Sequence, residues 1–454
     1  MVFLDGTAIN VALPAIGTDL GVGFSGFQWV VNGYLLPLGA LLLLGGSMGD
    51  MYGRRRIFLI GTVGFAVASA LCGAAQSASQ LVFLRVLQGA AAALLVPASL
   101  AMVQAEFVEE ERGRAIGAWS GFSGLSTIVG PLLGGWLIDA VSWRWIFFIN
   151  PILAVPVIWL TLRYVPVRSG EATSARATLD WIGSLLAVLG LGGVIFALIE
   201  GPTRGWSETI VWMSGMGGAV CLILFVLYEA RHEDPMLPLR FFRVRRFTGA
   251  NAVTVFVYFV LSAVFFLLTL ELQKVMGYSA LEAGAAGMPV TILLLFLSPY
   301  AGRLADRIGP RVPMTLGPLI AAVGVAMLSP VGEGTSYWTG ILPGLFVFGI
   351  GLGLTVAPLT STALGALDDA HAGIASGVNN AIGRIAQLLG IPLLPLAAGI
   401  SGIEEIAGAE FTEGFARAMW IGAALLVVGA VLAWTLLAGT PPPADGRHGG
   451  THAK

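Results

Sequence analysis

Charge is what this 454-residue chain has least of. Lys, Arg, Asp and Glu together make up 11% of it, where a soluble domain carries about 25%. With 56% hydrophobic residues and a mean hydropathy of +0.86, only a polytopic membrane protein fits. Lysine is nearly absent. The two, Lys274 and Lys454, do not follow the glycine pattern of a phosphate-binding loop, so ATP hydrolysis is not expected within this chain. There are four histidines (His232, His371, His448 and His452), with no His-Glu-x-x-His and no Cys/His cluster. A membrane enzyme is therefore disfavoured, and no metal or cofactor is expected. Cys72 and Cys221, the only cysteines, lie in different apolar runs, which excludes a disulfide framework and reads as small core residues. No basic segment precedes the first apolar run, so no cleavable signal peptide is expected. The net charge of −2 is uninformative in a membrane protein, and no nucleic-acid partner is expected.

What the chain has is fourteen apolar runs, at about 1–17, 28–48, 57–75, 81–104, 114–138, 145–165, 181–200, 209–228, 247–270, 281–301, 313–330, 338–360, 373–398 and 416–437. A bilayer core takes about 20 residues of helix, and the 62 glycines suit close helix packing. The run at 373–398 is the least secure, being interrupted by Pro392 and Pro395. The first run is short, and the native chain is expected to begin upstream of Met1. The tail at 440–454 lacks an apolar pattern and reads as a disordered end. Arginine sets the orientation. Joints after even-numbered runs, with the tail, hold 18 of the 24 basic residues, and the opposite joints hold only Arg144, Arg204, Lys274 and Arg417. Both termini are thus expected in the cytoplasm. Arg85 and Arg384 remain, each inside an apolar run.

One short loop occurs twice. Gly46-Ser-Met-Gly49-Asp50-Met-Tyr-Gly53-Arg54-Arg55 returns 256 positions later as Gly302-Arg-Leu-Ala305-Asp306-Arg-Ile-Gly309-Pro310-Arg311, with Gly, Asp, Gly and Arg identical. A charged, glycine-bent loop between two spans, present twice, marks a duplicated membrane bundle, the plan of many transporters, with the binding site where the copies meet.

These residues resemble the major facilitator superfamily. The duplicated loop is similar to that family's signature between its second and third helices. Leu4-Asp5-Gly6-Thr7-Ala8-Ile9-Asn10-Val11-Ala12-Leu13-Pro14 resembles the first-helix motif of its drug/proton antiporters, and Leu84-Arg85-Val86-Leu87-Gln88-Gly89 the fourth-helix motif. Gly130-Pro131-Leu132-Leu133-Gly134-Gly135 is similar to the fifth-helix motif of exporters. Asp180-Trp181-Ile182-Gly183 and the fourteen-run count resemble the multidrug branch. The resemblance implies an all-α membrane protein with the major facilitator fold: two six-helix bundles (1–165 and 247–438), a two-helix insertion with its loops (166–246), and a disordered cytoplasmic tail (439–454). One departure stands out. Pro310 occupies the place of Arg54 in the second loop copy, and that gate is expected to be weaker.

Within this frame, Gly46, Asp50, Gly53, Arg54, Arg55, Asp306 and Arg311 are expected to form a conformational latch. The bland alternative is positive-inside anchoring, which needs the arginines alone. Asp5 and Arg85 are the expected proton-coupling pair. A charge inside a span costs about 2.5–3.5 kcal/mol on insertion scales, so Arg85 needs a partner, a cavity or a route to the headgroups by snorkelling. Burial and a neighbouring arginine act on a carboxyl in opposite senses, the balance a proton exchanger requires. Gly130, Pro131, Gly134 and Gly135 are expected to form a tight, bendable seam. Asn380, Arg384 and Gln387, spaced i, i+4, i+7, share a helix face and are expected to line a central substrate cavity with Tyr34 and Gln88. Other aromatics (Trp29, Trp119, Phe122, Tyr258, Phe265 and Phe266) could add to an apolar pocket. Glu271 and Asp139 read as interfacial.

The resulting expectation is a secondary active transporter of the cell membrane, a monomer in the lipid bilayer. It would export hydrophobic or cationic small molecules such as drugs in exchange for protons, by alternating access. A proton-coupled metabolite symporter is the alternative, disfavoured by the Gly-Pro motif and the lack of a rich polar stripe. A non-transporting sensor of the same fold is a further one.

Overall fold

In lipid every backbone N–H and C=O must find its partner inside the segment, which leaves helices for a chain of long apolar runs. The computed structural model describes residues 1–166, 179–368, 371–400 and 408–438, and among them every regular element is helical. The tail, Arg168, Arg176, Arg447 and Lys454 lie outside the described residues, as does most of the joint at 166–180; of Arg112 only the backbone is described.

The order is α1 (Val2–Leu20), α2 (Phe24–Ala40), α3 (Leu42–Tyr52), α4 (Arg54–Gly73), α5 (Ala78–Glu106), α6 (Glu109–Ala140), α7 (Trp145–Tyr164), α8 (Trp181–Arg204) and α9 (Thr209–Glu229). Then come α10 (Arg245–Leu270) with a π turn at Glu271–Val275, α11 (Ala280–Ala286) leading into α12 (Met288–Ile308), and α13 (Arg311–Met327). A π turn at Tyr337–Ile341 opens α14 (Leu342–Leu364), followed by α15 (Ala372–Ala397) and α16 (Ala409–Leu436). Each apolar run coincides with one rod once α2–α3 and α11–α12 are joined. Eleven rods are long and apolar enough to cross a membrane, and the α2–α3 pair, bent by 48°, makes a twelfth. The two that fall short have visible reasons. α13 is only 17 residues long, and α1 carries Asp5, Asn10 and Asp19 within 19 residues.

Local chemistry sets the ends. The Ser77 and Asp180 side chains accept from Gln80 N and Gly183 N to cap α5 and α8, and Ser279 with Glu282 forms a capping box on α11. Gly53 (φ 93°) and Gly309 (φ 85°) make the two loop reversals, at equivalent positions of the repeat. The bend in the second run was not expected. There α3 leans onto α5, where Gly45 lets it meet the backbone of Ala93 and Leu94. Pro392 and Pro395, by contrast, do not break α15. A proline withholds the N–H that would bond the carbonyl four residues back. Pro395 leaves Ile391 O free in this way, and it accepts Gln28 Nε2 at 3.0 Å.

Two sets of six rods repeat one pattern of neighbours. In the first, α1 packs on α6, α5 on both α2 and α4, and α4 on α7. In the second, α10 packs on α15, α14 on both α12 and α13, and α13 on α16. The sets meet reciprocally, α2 against α15 and α6 against α11 and α12. The pair α8–α9 sits beside the first of these joints. Its α8 packs on α2 and α15, and Trp29 Nε1 donates to Glu200 Oε1 at 2.7 Å.

The second joint depends on missing side chains. A Cβ on Gly135 would lie 2.6 Å from both Ala280 O and Leu281 Cα, whereas one on Gly121, in the same helix, would meet nothing within 4 Å. Gly135→Ala is therefore expected to cost about 1–3 kcal/mol and lower the melting temperature in detergent. Gly121→Ala is expected to be neutral or to stabilise by helix propensity. Equal effects of the two on melting would contradict this packing.

Candidate functional site

Polar residues in an apolar bundle are costly unless they find one another. Five do so between α1, α4, α5 and α7. Asp5, in the first turn of α1, is 2% exposed, and Arg85 on α5 is 0% exposed. Arg85 Nη1 donates to Asp5 Oδ2 at 2.5 Å and to Gln88 Oε1 at 2.8 Å. Gln88 Nε2 donates to Asp5 Oδ1 at 2.9 Å, and Asn150 Nδ2 reaches the same oxygen at 3.2 Å. Asn150 also donates to Ser69 Oγ at 3.0 Å, and Ser69 donates on to Phe147 O at 2.8 Å. That carbonyl is free because Pro151 stands four residues later without an N–H. Arg85 Nε donates to Val30 O at 3.2 Å, and the guanidinium lies 4.3 Å from the centre of the Tyr34 ring.

Arg85 thus does not snorkel to a surface; it is buried and paired. Gln88 and Tyr34, expected to face substrate, are buried members of this cluster. Asn150 and Ser69 were missed. Asn150, a lone amide within an apolar run, was the available signal, whereas Ser69 in helix α4 gives none.

The second group is on α15, whose polar residues divide between two faces. Asn379 is buried and donates to Asn251 Oδ1 at 3.0 Å and Thr254 Oγ1 at 2.8 Å, joining α15 to α10. Asn380, Arg384 and Gln387 lie on another face. Asn380 is exposed and donates to Ser376 O within its own helix. Arg384 is half-buried. Its Nη1 donates to Gln387 Oε1 at 3.3 Å, its guanidinium lies 5.5 Å from the Phe3 ring centre, and its Cβ would be 3.4 Å from a Cβ on Gly39 of α2. The stripe therefore borders the joint between the two sets. Of the other aromatics, Phe122 is exposed, and Phe266 is core, packed on Phe24. Phe3 sits edge-on to Trp119 at 6.4 Å.

The exporter-like glycines have two partners. Gly130 and Gly134 admit α1, lying against Thr7 and Ala8, while Gly135 and the backbone of Pro131 meet Ala280, Leu281 and Gly284 of α11. Asp139, read as interfacial, accepts from Ala280 N at 3.2 Å and Leu281 N at 2.9 Å across that joint. Asp139 itself is exposed, whereas Glu271 proves buried rather than interfacial, accepting from Thr412 at 2.8 Å. Further bonds between the sets, from Gln28 to Ile391 O and from Gln273 to Val11 O, lie with those of Asp139 toward the end remote from the Gly53 and Gly309 loops.

At the loops, Arg54 pairs with Asp50 at 3.0 Å and donates to Ala101 O. Gly46 packs loosely beside Pro97. Arg55 donates to Leu162 O near the end of α7, and Arg311 donates to Trp434 O near the end of α16. The arginines at aligned positions of the two copies thus each tie their loop to the last helix of their own set. Asp306 is exposed. Among the described residues, no hydrogen bond or ion pair of these loop side chains crosses to the other set.

Two like sets of helices meeting along reciprocal joints, with an ion pair buried in one of them, define a membrane transporter. The chain belongs to the Major Facilitator Superfamily, whose family model matches residues 1–391. It is 38% identical over 413 residues to the multidrug resistance protein Stp of Mycobacterium tuberculosis (strain CDC 1551 / Oshkosh), covering 89% of this chain and 75% of that one. It is 35% identical over 459 residues to the puromycin resistance protein pur8 of Streptomyces alboniger, covering 98% and 90%. The fold is also that of the xylose transporter XylE from E. coli in its inward-open conformation, at a TM-score of 0.60 and 15% identity over 98% of this chain and 95% of that one.

Breaking a buried pair by removing one partner costs about 3–5 kcal/mol, because it strands the other charge. Arg85→Gln is expected to destabilise the protein by that order. Adding Asp5→Asn should recover part of the loss. Thermal melting of the two single variants and the double variant in detergent reads the coupling; strictly additive losses would mean that the two side chains do not act as a pair.

Proposed function

We propose that this chain is a proton-coupled exporter of hydrophobic small molecules, working by alternating access in the cell membrane. It would act as a monomer with fourteen spans and both termini in the cytoplasm. Residues 1–165 and 247–438 would be the moving bundles, with 166–246 as the inserted pair and its loops and 439–454 as the tail. The observation that carries the reading is Asp5, held by Arg85, Gln88 and Asn150 on the helix that packs against the glycine face of α6. Asp5 and Arg85 are the coupling pair. A proton on Asp5 removes the counter-charge of Arg85 and loosens the bonds that join α1 to α5 and α7. The seam through Gly130, Pro131, Gly134 and Gly135 couples that change to α11. Asn380, Arg384 and Gln387 take the cargo.

The Asp50 and Asp306 loops are the latch. Their arginines bind within their own sets while the joints are bonded at the opposite end, the arrangement of a carrier open on the side of the loops. The names of the relatives, a multidrug and a puromycin resistance protein, support export of small molecules as the direction of transport.

Inverted membrane vesicles test this. With an acid lumen imposed, the wild type is expected to accumulate the neutral probe anthracene-9-carboxamide in the lumen, and a protonophore should abolish the accumulation. Asp5→Asn is expected to bind the probe yet lose the pH-driven uptake. Full uptake by Asp5→Asn would refute the role of Asp5, and accumulation only with an alkaline lumen would make the protein a symporter.

A further inference from the structure

Resting on that efflux reading, we infer that the α15 face selects aromatic anions: the cargo-binding charge of this protein is Arg384, and the chemical class it favours is a planar aromatic body bearing a carboxylate or an equivalent oxyanion.

The sequence expectation allowed cationic cargo, for which Asp5 would be the counter-ion. The geometry removes Asp5 from that task. Its two oxygens already accept from Arg85, Gln88 and Asn150, and its side chain is buried. Arg384 is in the opposite position. Arginine keeps its charge in a protein and offers five donors in a planar fork. Here one donor reaches a neutral amide oxygen, Gln387 Oε1, the nearest ring is Phe3, and Arg384 has no ion-pair partner among the described residues. A half-buried guanidinium without a carboxylate, at the joint of the two sets, repels a cation and gains a counter-charge from an anion.

A second observation points to the same place. Asn32 on α2 is 0% exposed, and neither its Nδ2 nor its Oδ1 has a hydrogen-bond partner. Its register locates it. Gln28, one turn earlier on α2, bonds Ile391 O on α15, and Gly39, seven residues later, lies against Arg384. Residues four and seven apart share a helix face, so Asn32 belongs to the face that meets α15, between those two contacts. An unmatched amide is costly in such a place, and on the helix face that also bears the Arg384 contact it offers a further donor to an oxyanion. Aromatic surface completes the site. Phe3 lies under the guanidinium with Trp119 edge-on to it, and a Cβ on Gly383, the residue before Arg384, would lie 3.8–3.9 Å from the Tyr258 ring.

Three probes sharing one ring system separate charge from hydrophobicity: anthracene-9-carboxylate, its neutral carboxamide and the cationic 9-anthracenemethylammonium. Equilibrium binding to the purified full-length protein in lipid nanodiscs is the readout. The wild type is expected to bind the carboxylate about tenfold more tightly than the carboxamide, the size of one charge-assisted hydrogen bond, and the ammonium most weakly. In Arg384→Gln the carboxylate-to-carboxamide affinity ratio should fall to about one, whereas Arg384→Lys, which keeps the charge, should hold it above one. Asn32→Leu should lower the same ratio. A wild type that prefers the ammonium, shows no preference or binds none of the three overturns the proposal, as does Arg384→Gln weakening all three alike. Proton-driven uptake of the carboxamide in vesicles is read separately, so the charge preference and the efflux reading can fail independently.

Discussion

Two opposite charges placed inside an apolar bundle constrain everything around them. Asp5 and Arg85 come from helices that begin 76 residues apart in the chain (Val2 and Ala78), and neither charge is tolerable there alone. Their mutual bond, extended by Gln88, Asn150 and Ser69, ties α1, α4, α5 and α7 into one polar knot. The knot is local to the first set of helices. It leaves the second set free to present a different charge, Arg384, which has no such partner. The paired charges of the knot and the unpaired Arg384 thus stand in different sets of helices.

The two sets are alike in more than their loops. The same pairs of rods pack in each, positive-φ glycines recur at 53 and 309, and Arg55 and Arg311 anchor to the end of the last helix in their own set. Proline has a shared use as well. Pro151 frees Phe147 O for Ser69, and Pro395 frees Ile391 O for Gln28. In each case a carbonyl that the helix cannot satisfy becomes an anchor for another helix, so a residue that weakens one rod strengthens the contact between two. Glycine serves the joints differently. Gly135 and Gly284 let backbones touch across α6 and α11, where larger side chains would hold the sets apart.

Much of this was legible in the residues. Apolar runs located every rod, because lipid demands a long apolar helix, though some ends moved by as much as seven residues, as at Ile308 and Ala409. Asp5, Arg85 and Gln88 announced themselves as polar residues where none is cheap. Partners were less legible. Asn150 and Ser69 complete the knot from α7 and α4, and no spacing rule connects them to Asp5. Gln88 and Tyr34 have the chemistry of a cavity wall, yet they are consumed by the ion pair. Glu271 looked like a surface carboxylate at a helix end, and the π turn that follows α10 carries it into the interior beside Thr412. The bend between α2 and α3 also escaped notice, since Gly45 reveals its purpose only when α5 lies against it.

The residues by themselves determined the class of protein, the succession of the rods, the duplication and the positions of the costly charges. Hydropathy and periodicity are properties of one segment at a time, and lipid reads them one segment at a time. Only the tertiary structure decided which charge is paired and which is not, which face of α15 is glue and which borders the joint, and at which end of the bundle the two sets are hydrogen-bonded. Those outcomes depend on distances between helices far apart in the chain, and a distance of that kind is written in no single stretch of sequence.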